Sequence, residues 1–355
     1  MIKTEDLRIR AIRPLLAPLS LQQDIPATET ALSVVQQARQ DITNILQGRD
    51  PRLLVIVGPC SVHDTQAALD YARSLSARVT NWAEQLLIVM RVYFEKPRTV
   101  VGWKGLINDP DLDESFEINK GLRQARRLLV DISNLGLPCG TEFLDTTFGQ
   151  FYTDLVSWGA IGARTAESQI HRELASGLSM PVGIKNRTDG DIQVAIDGIN
   201  AAGHRHLFAS LTKEGLPAIY ETTGNESAHL ILRGGKVTGP NYNRNTVSQA
   251  VTMLEEAGLV KRLVVDCSHD NSNKDPTKQT EVVENLASQI EAGSKHIAGV
   301  MIESNIHSGN QPYHDKSQLV YGVSITDACL SLEETWPLLE RLARAQARAS
   351  MAEPA

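Results

Sequence analysis

The chain has 355 residues, is 42% hydrophobic and 22% charged, and carries a formal net charge of −7. That is ordinary globular composition, and a negative balance without a basic run excludes wholesale nucleic-acid binding. No stretch approaches ~18 consecutive apolar residues, so no membrane span is expected. The opening MIKTEDLRIRAIRPLL has acidic residues and no apolar core, so it does not read as a signal peptide. The four cysteines (Cys60, Cys139, Cys267, Cys329) are far apart and form no CxxC. In a chain this long they point to a reducing cytoplasm rather than a disulfide framework.

In chain order, residues 1–50 precede the first strand and read as an extension of the remaining 51–350. Short apolar runs then follow, each closing on a polar or metal-capable residue. LLVIVG (53–58) runs into Cys60, LLIVMR (86–91) ends in Arg91, and PCGTE (138–142) ends in Glu142. SWGAIGAR (157–164) ends in Arg164, PVGIK (181–185) in Lys185 and HLILR (229–233) in Arg233. RLVVDCSH (262–269) ends in His269 and IAGVMIE (297–303) in Glu303. Most of these runs are rich in Val, Ile and Leu without alternation, as strands buried on both faces require.

Helical stretches separate them. In 116–135, Ile118, Leu122, Ala125, Leu129 and Ile132 form one apolar face and Gly136 offers a stop. Segments 65–80, 167–178, 189–202, 244–258, 278–292 and 327–348 read similarly, and 147–157 is weaker. Length alone permits two domains, but α/β barrels often exceed ~250 residues as one. Eight strands alternating with helices predict a parallel (β/α)8 TIM barrel. Before the sixth barrel strand, about 206–228, the runs HLFASL and AIYETT predict an inserted β element with Lys213-Glu214-Gly215 as its turn.

Active residues of such a barrel sit at the C-terminal ends of the strands. One sector of that rim offers Cys60, His269 and Glu303, with Asp327 in the segment expected to open the last helix. A thiolate, an imidazole and two carboxylates suit Mn, Fe, Co or Zn better than Mg or Ca. His63 and His307 are alternative ligands, and His269 is preferred because it directly ends an apolar run. A lone cysteine after a strand is more often a small core residue, so the set matters more than any member. The rest of the rim carries Arg91, Lys96, Arg98, Arg164, Lys185 and Arg233. Six cations would repel one another unless small, multiply anionic ligands bind there. Lys96-Pro97-Arg98-Thr99 reads as a phosphate clamp without a P-loop pattern.

The strings GPCSVHD, MRVYFEKPRTVVGWKGLINDPDLD, WGAIGART, ESQIHRELASGLSMPVGIKN, LILRGGK, VDCSHDNSNK, IESNIHSGNQ and YGVSITDAC closely resemble the class I, microbial 3-deoxy-D-arabino-heptulosonate 7-phosphate (DAHP) synthases. The resemblance runs from about Arg52 to about Leu339. It implies condensation of phosphoenolpyruvate with erythrose 4-phosphate and water to DAHP and phosphate, the entry step of the shikimate pathway to aromatic amino acids. Carried over residue by residue, it makes Cys60, His269, Glu303 and Asp327 ligands of a divalent metal. It assigns Arg91, Arg164, Lys185 and Arg233 to phosphoenolpyruvate, and Lys96, Pro97, Arg98 and Thr99 to erythrose 4-phosphate. Lys96, Glu142 and Lys185 become the catalytic group, with Lys96 as general acid at a pKa lowered by neighbouring cations.

Family members are also feedback-regulated by Phe, Tyr or Trp and assemble as homotetramers or homodimers. The matching effector positions are Thr146, Gly149, Gln150, Leu178, Ser179, Phe208 and Ser210. Gly149 replaces the proline of several relatives, which favours Trp or Tyr over the smaller Phe. Arg187 stands where a glycine is usual, and Thr238-Gly239 looks like a small insertion. Two rivals are weighed against this reading. A 3-deoxy-octulosonate 8-phosphate synthase is disfavoured by the long GWKGLINDP string and the extension. A catalytically dead barrel that senses aromatic amino acids is disfavoured by the complete metal and cation sets.

Overall fold

A computed structural model describes residues 4–313 and 316–352, so the first three residues of the expected extension lie outside it. The chain opens with α1 (Pro18–Asp24) and α2 (Glu29–Leu46), then enters β1 (Leu53–Gly58), α3 (Thr65–Ser76) and β2 (Leu86–Arg91). There follow α4 (Ile118–Asn134), β3 (Cys139–Glu142), β4 (Trp158–Ile161), α5 (Gln169–Gly177), β5 (Val182–Lys185) and α6 (Gln193–Ala202). An antiparallel hairpin, β6 (Leu207–Leu211) and β7 (Pro217–Glu221), precedes β8 (His229–Leu232) and α7 (Arg244–Glu256). The chain closes with β9 (Leu263–Asp266), α8 (Gln279–Glu291), β10 (Ile297–Asn305), β11 (Leu330–Ser331) and α9 (Leu332–Ala352).

The strand order β1-β2-β3-β4-β5-β8-β9-β10, with β1 also paired to β10, is a closed parallel barrel of eight strands. The hairpin β6–β7 stands outside it, at the place the inserted element is expected. Two details depart from the sequence reading. Asp327 does not open the last helix: it lies in a bend, and a two-residue β11 pairs with the end of β10 before α9 begins. The weak segment 147–157 is no α-helix but two 3-10 turns, Phe148–Phe151 and Thr153–Leu155.

The continuous Val/Ile/Leu runs divide between two cores. Residues such as Leu53, Val55 and Val57 face the helices, and Leu54, Ile56, Val89, Trp158, Ala160, Ile231 and Val264 fill the barrel interior. Ile42, Ile45 and Leu46 of α2 join the interior set, so this helix closes the N-terminal mouth of the barrel. Thr28 caps α2 by accepting from the Ala31 N–H at 3.1 Å, and Arg39 anchors it to the Val156 and Thr153 carbonyls. The lower mouth is thus sealed by part of the extension, and the opposite rim remains for chemistry.

At the sealed end the Trp158 indole N–H donates to His229 Nε2 at 3.2 Å, while His229 Nδ1 meets the Ser227 carbonyl at 3.0 Å. Full burial holds the imidazole neutral and lowers its pKa to about 4. The unfolded chain takes up this proton near pH 6.5 and the folded chain only near 4, so His229 costs stability as pH falls through that window. Between pH 7 and pH 5 the wild-type chain should lose roughly 2 kcal/mol more than His229→Asn. Urea unfolding at fixed protein concentration measures this, and parallel pH profiles for the two proteins would remove His229 from the account.

Candidate active site

The seam between β1 and β10 sets the geometry of the upper rim. Gly58 lies opposite Glu303 in that ladder, and Cys60 follows two residues later. Gly58 has φ of +153°, and a Cβ there would come within 2.7 Å of the Arg91 carbonyl oxygen. Only glycine allows β1 to turn over β2 this closely. The Cys60 Sγ and carboxylate oxygens of Glu303 and Asp327 then lie within 4.8 Å of one another. A hydrogen bond of 2.7 Å between the Ser61 and Thr326 hydroxyls ties the Cys60 loop to the Asp327 loop.

His269 joins from β9, its Nε2 lying 4.0 Å from Glu303 Oε1. Its backbone takes φ of 55°, a left-handed conformation uncommon outside glycine, though histidine adopts it more readily than most residues. Glu303 is held at its backbone by Gln279 of α8, whose side chain accepts from its N–H at 2.9 Å and donates to its C=O at 3.0 Å. Three of the four expected ligands therefore form a tight group and the fourth stands at its edge. A thiol, an imidazole and two carboxylates fit a divalent transition ion in number and chemistry. His307 is exposed and His63 is half-buried beside a separate cavity with Lys316 and Tyr321, so neither joins the group.

Burial, and next Glu303, push the Cys60 thiol up to about 11, so it stays protonated unless a cation is bound. Burial alone would raise Asp327 too, but Lys96 and then His269 bring it down to about 2. Lys96 overturns its expectation. Burial favours its neutral form, yet Cys60, Asp327 and Glu303 outweigh that and hold the ammonium above its ordinary range. Its Nζ donates to Cys60 Sγ at 3.0 Å and lies 3.7 Å from Asp327. The neighbours that count are acids, not the cations anticipated from sequence.

The same holds around the rim. Arg91 is buried with Nη2 at 2.8 Å from Glu303 Oε1, Nε donating to the Pro59 carbonyl at 3.1 Å, and its guanidinium 3.7 Å above the Tyr93 ring. Lys185 Nζ lies 2.9 Å from Asp266 Oδ2, and Arg233 is paired with Asp270. Arg164 and Arg98 are exposed and donate to neutral groups, Thr99 Oγ1 at 3.2 Å and the Trp103 carbonyl at 2.7 Å. Thr99 is exposed and Pro97 half-buried beside them. The Arg164–Thr99 contact brings together residues expected to hold different substrates. Glu142 is buried, packs on the backbone of Gly162, and leaves Oε1 without a hydrogen-bond partner among the described residues.

Sequence reasoning missed the acids and amides that organise these cations. Strand β9 ends at Asp266, not at His269, and the aspartate was obscured by the three residues that follow it. Burial would raise Asp266, but Lys185 and His269 hold its carboxyl well below the usual range. Asn186 was also missed. It accepts from the Arg233 N–H at 2.8 Å and donates to the Gly234 carbonyl at 3.0 Å, locking the Lys185 and Arg233 loops together. Its direct attachment to Lys185 was the one available signal. Arg187 turns to Glu167 at 2.7 Å and to Asp189. The Lys236 N–H donates to the Thr188 carbonyl at 2.9 Å, so the Arg187 loop packs on the segment holding Thr238-Gly239.

Six of the seven expected effector residues (Thr146, Gly149, Gln150, Leu178, Ser179 and Phe208) line one cavity of about 490 Å³ between the barrel wall, α2 and the hairpin. Ser210 does not line it, although it stands two residues along β6 from Phe208. Arg39, Asp154 and Lys213 add both signs of charge, and Tyr220 faces Phe208 with ring centroids 6.1 Å apart.

The Arg91–Glu303 pair carries a direct expectation. In metal-free protein, Arg91→Met would leave Glu303 buried without its cation and cost roughly 3–5 kcal/mol. A fall in the urea midpoint reports this, and an unchanged midpoint would show that Glu303 does not depend on Arg91.

With that geometry in hand, comparison with known proteins is informative. The DAHP synthetase I family model matches residues 24–340. The chain is 55% identical over 343 residues to "Phospho-2-dehydro-3-deoxyheptonate aldolase, Phe-sensitive" of Escherichia coli (strain K12), covering 97% of both chains. It is 53% identical to the Trp-sensitive enzyme of Enterobacter agglomerans, covering 97% of this chain and 99% of that one. It is 50% identical to the tyrosine-inhibited enzyme of Schizosaccharomyces pombe, with 96% and 92% covered. Among solved structures, phospho-2-dehydro-3-deoxyheptonate aldolase from Francisella tularensis SCHU S4 superposes with a TM-score of 0.94 at 50% identity, covering 96% of this chain and 99% of that one. The closed barrel, its rim and these likenesses over nearly the whole length lead to one conclusion: the chain belongs to the DAHP synthetase I family.

Proposed function

We propose that this protein condenses phosphoenolpyruvate with erythrose 4-phosphate and water to give DAHP and phosphate, the first step of the shikimate pathway. The observation that carries the reading is the Cys60–Glu303–Asp327 group beside His269, ringed by Arg91, Lys96, Lys185 and Arg233. A divalent ion (Mn, Fe, Co or Zn) held by those four side chains would supply Lewis-acid polarisation of the aldehyde oxygen. Arg91, Lys185 and Arg233, with the exposed Arg164, hold the carboxylate and phosphate of phosphoenolpyruvate. Lys96, Pro97, Arg98 and Thr99 hold erythrose 4-phosphate. Carbon C3 of phosphoenolpyruvate attacks the aldehyde, water adds at C2, and phosphate leaves with cleavage of the C2–O bond. Lys96, whose Nζ lies 3.0 Å from Cys60 Sγ and 3.7 Å from Asp327, delivers a proton to the developing alkoxide. Glu142, with its unpartnered Oε1, orients the attacking water. The Arg cluster positions both anions and stabilises developing charge.

The cavity between α2 and the hairpin is proposed as the feedback site for an aromatic amino acid. Its volume suits such a ligand, Lys213 and Arg39 can receive a carboxylate, and Asp154 an ammonium group. The named relatives are sensitive to Phe, Trp or tyrosine at nearly equal identity, so likeness does not select the effector. Gly149, in the cavity lining, leaves room that favours Trp or Tyr. We also propose a cytoplasmic homotetramer or homodimer in which residues 1–50 serve association and regulation of the 51–350 barrel. The four cysteines are unpaired and buried, as a reducing compartment favours. No helix among the described residues is long and apolar enough to cross a membrane.

Cys60→Ala, or treatment with a chelator, should abolish turnover, and Mn should restore only the chelated wild-type protein. Full activity of Cys60→Ala would remove the metal assignment. Arg98→Ala should raise the KM for erythrose 4-phosphate more than that for phosphoenolpyruvate, and the reverse would mean the two phosphate sites are exchanged. Phosphate release with erythrose 4-phosphate should exceed that with arabinose 5-phosphate. Among Phe, Tyr and Trp added singly, Tyr or Trp should inhibit most.

A further inference from the structure

Asp266 has no role in the reading above, yet it is completely buried and touches both halves of the site. Its Oδ2 lies 2.9 Å from Lys185 Nζ and 2.9 Å from His269 Nδ1. Its Oδ1 accepts from the Ser268 N–H at 3.0 Å and from the Ser268 hydroxyl at 2.7 Å. Four donors therefore converge on one side chain. Only an ionised carboxylate, which accepts at both oxygens and donates at neither, satisfies all four. An amide in the same place would aim a donor either at Lys185 and His269 or at Ser268. The Ser268 hydroxyl, whose proton goes to Asp266, also lies 2.7 Å from His269 Nδ1, so that nitrogen faces two acceptors and the proton of a neutral His269 ring sits on it. The Nε2 lone pair is then left facing Glu303, 4.0 Å away. Lys185 comes from β5 and His269 follows β9, two strands further round the barrel, so this carboxylate bridges two sectors of the rim.

Resting on the metal reading of Cys60, His269, Glu303 and Asp327, we propose that Asp266 is a positioning residue. It orients His269 toward the metal group and Lys185 toward the phosphoenolpyruvate anion at the same time. The two subsites share one buried support, so disturbing it weakens both. Partners of this kind to a ligating histidine are worth about 10–100-fold in metal affinity.

The test is a pair of titrations on each variant. Cobalt(II) is added to metal-stripped protein and followed by thiolate-to-cobalt absorption. Phosphoenolpyruvate is then titrated calorimetrically at saturating cobalt. Asp266→Asn should weaken cobalt binding about 10–100-fold and phosphoenolpyruvate binding by a comparable factor. Lys185→Met should weaken phosphoenolpyruvate alone. Ser268→Ala removes the hydroxyl 2.7 Å from His269 Nδ1 and should still leave both affinities near wild type, because Asp266 Oδ2 remains 2.9 Å from that nitrogen and from Lys185. A purely structural Asp266 would lower the thermal midpoint of Asp266→Asn and leave both affinities unchanged, and that result overturns the proposal. So does weakening of only one ligand. Should Asp266→Asn fail to fold, Ser268→Ala still decides: if it loses cobalt affinity tenfold, the serine orients His269 and the aspartate does not. Cys60→Ala runs alongside, and wild-type cobalt affinity there would sink the metal reading itself, whatever Asp266 does.

Discussion

Closure of the barrel between β1 and β10 is the constraint on which the site depends. The ladder runs from Leu54 opposite Gly299 to Gly58 opposite Glu303. A parallel register slipped by one residue would turn Glu303 to the opposite face of the sheet and out of reach of Cys60. The seam is held by completely buried Val and Ile residues on both strands, so its register is fixed by burial and not by the site. Residues more than two hundred positions apart become neighbours because hydrophobic packing far below them permits only one alignment.

The rim that results is strongly charged and close to internally balanced. Six cations share the rim with Glu303, Asp266, Asp270, Asp327 and Glu142, and four of the cations are paired with an acidic side chain, thiol or carboxylate, within the protein. Buried ions need such partners, because an unpaired charge out of water costs several kcal/mol. The partners also hold the cations in position before any ligand arrives, which reduces the reorganisation required on binding. A divalent cation among the carboxylates would tip the balance toward positive and favour anionic substrates. Metal and substrate binding are coupled on this view through plain electrostatics.

How much of this could be read from sequence follows from the range of each interaction. Most of the eight strands were legible as short Val/Ile/Leu runs, Cys139–Glu142 being recognisable only by its place between helices and its closing glutamate, and the hairpin because its two runs flank a Lys-Glu-Gly turn. The rim residues Arg91, Glu142, Lys185 and Glu303 were legible because they lie within the last residues of strands. Asp266 was not, since the Cys-Ser-His that follows drew the apparent end of the run past it. The pairing of Arg233 with Asp270 joins two loops across the rim, and nothing local announces it. The sign of the Lys96 shift failed for the same reason: cations near it in sequence were visible, whereas Cys60, Asp327 and Glu303 become its neighbours only in the fold. The two-residue β11 carries too little pattern to be seen, so the last helix was begun too early.

Helix α2 serves two surfaces at once. Arg39 lines the cavity beside the hairpin, and one turn further on Ile42, Ile45 and Leu46 complete the interior of the barrel. The extension is therefore not a detachable accessory. A lineage that shed it would uncork the apolar floor of its own catalytic scaffold. If the cavity is the proposed feedback site, deletion is closed off as an escape from control and substitutions in the cavity walls are the open route.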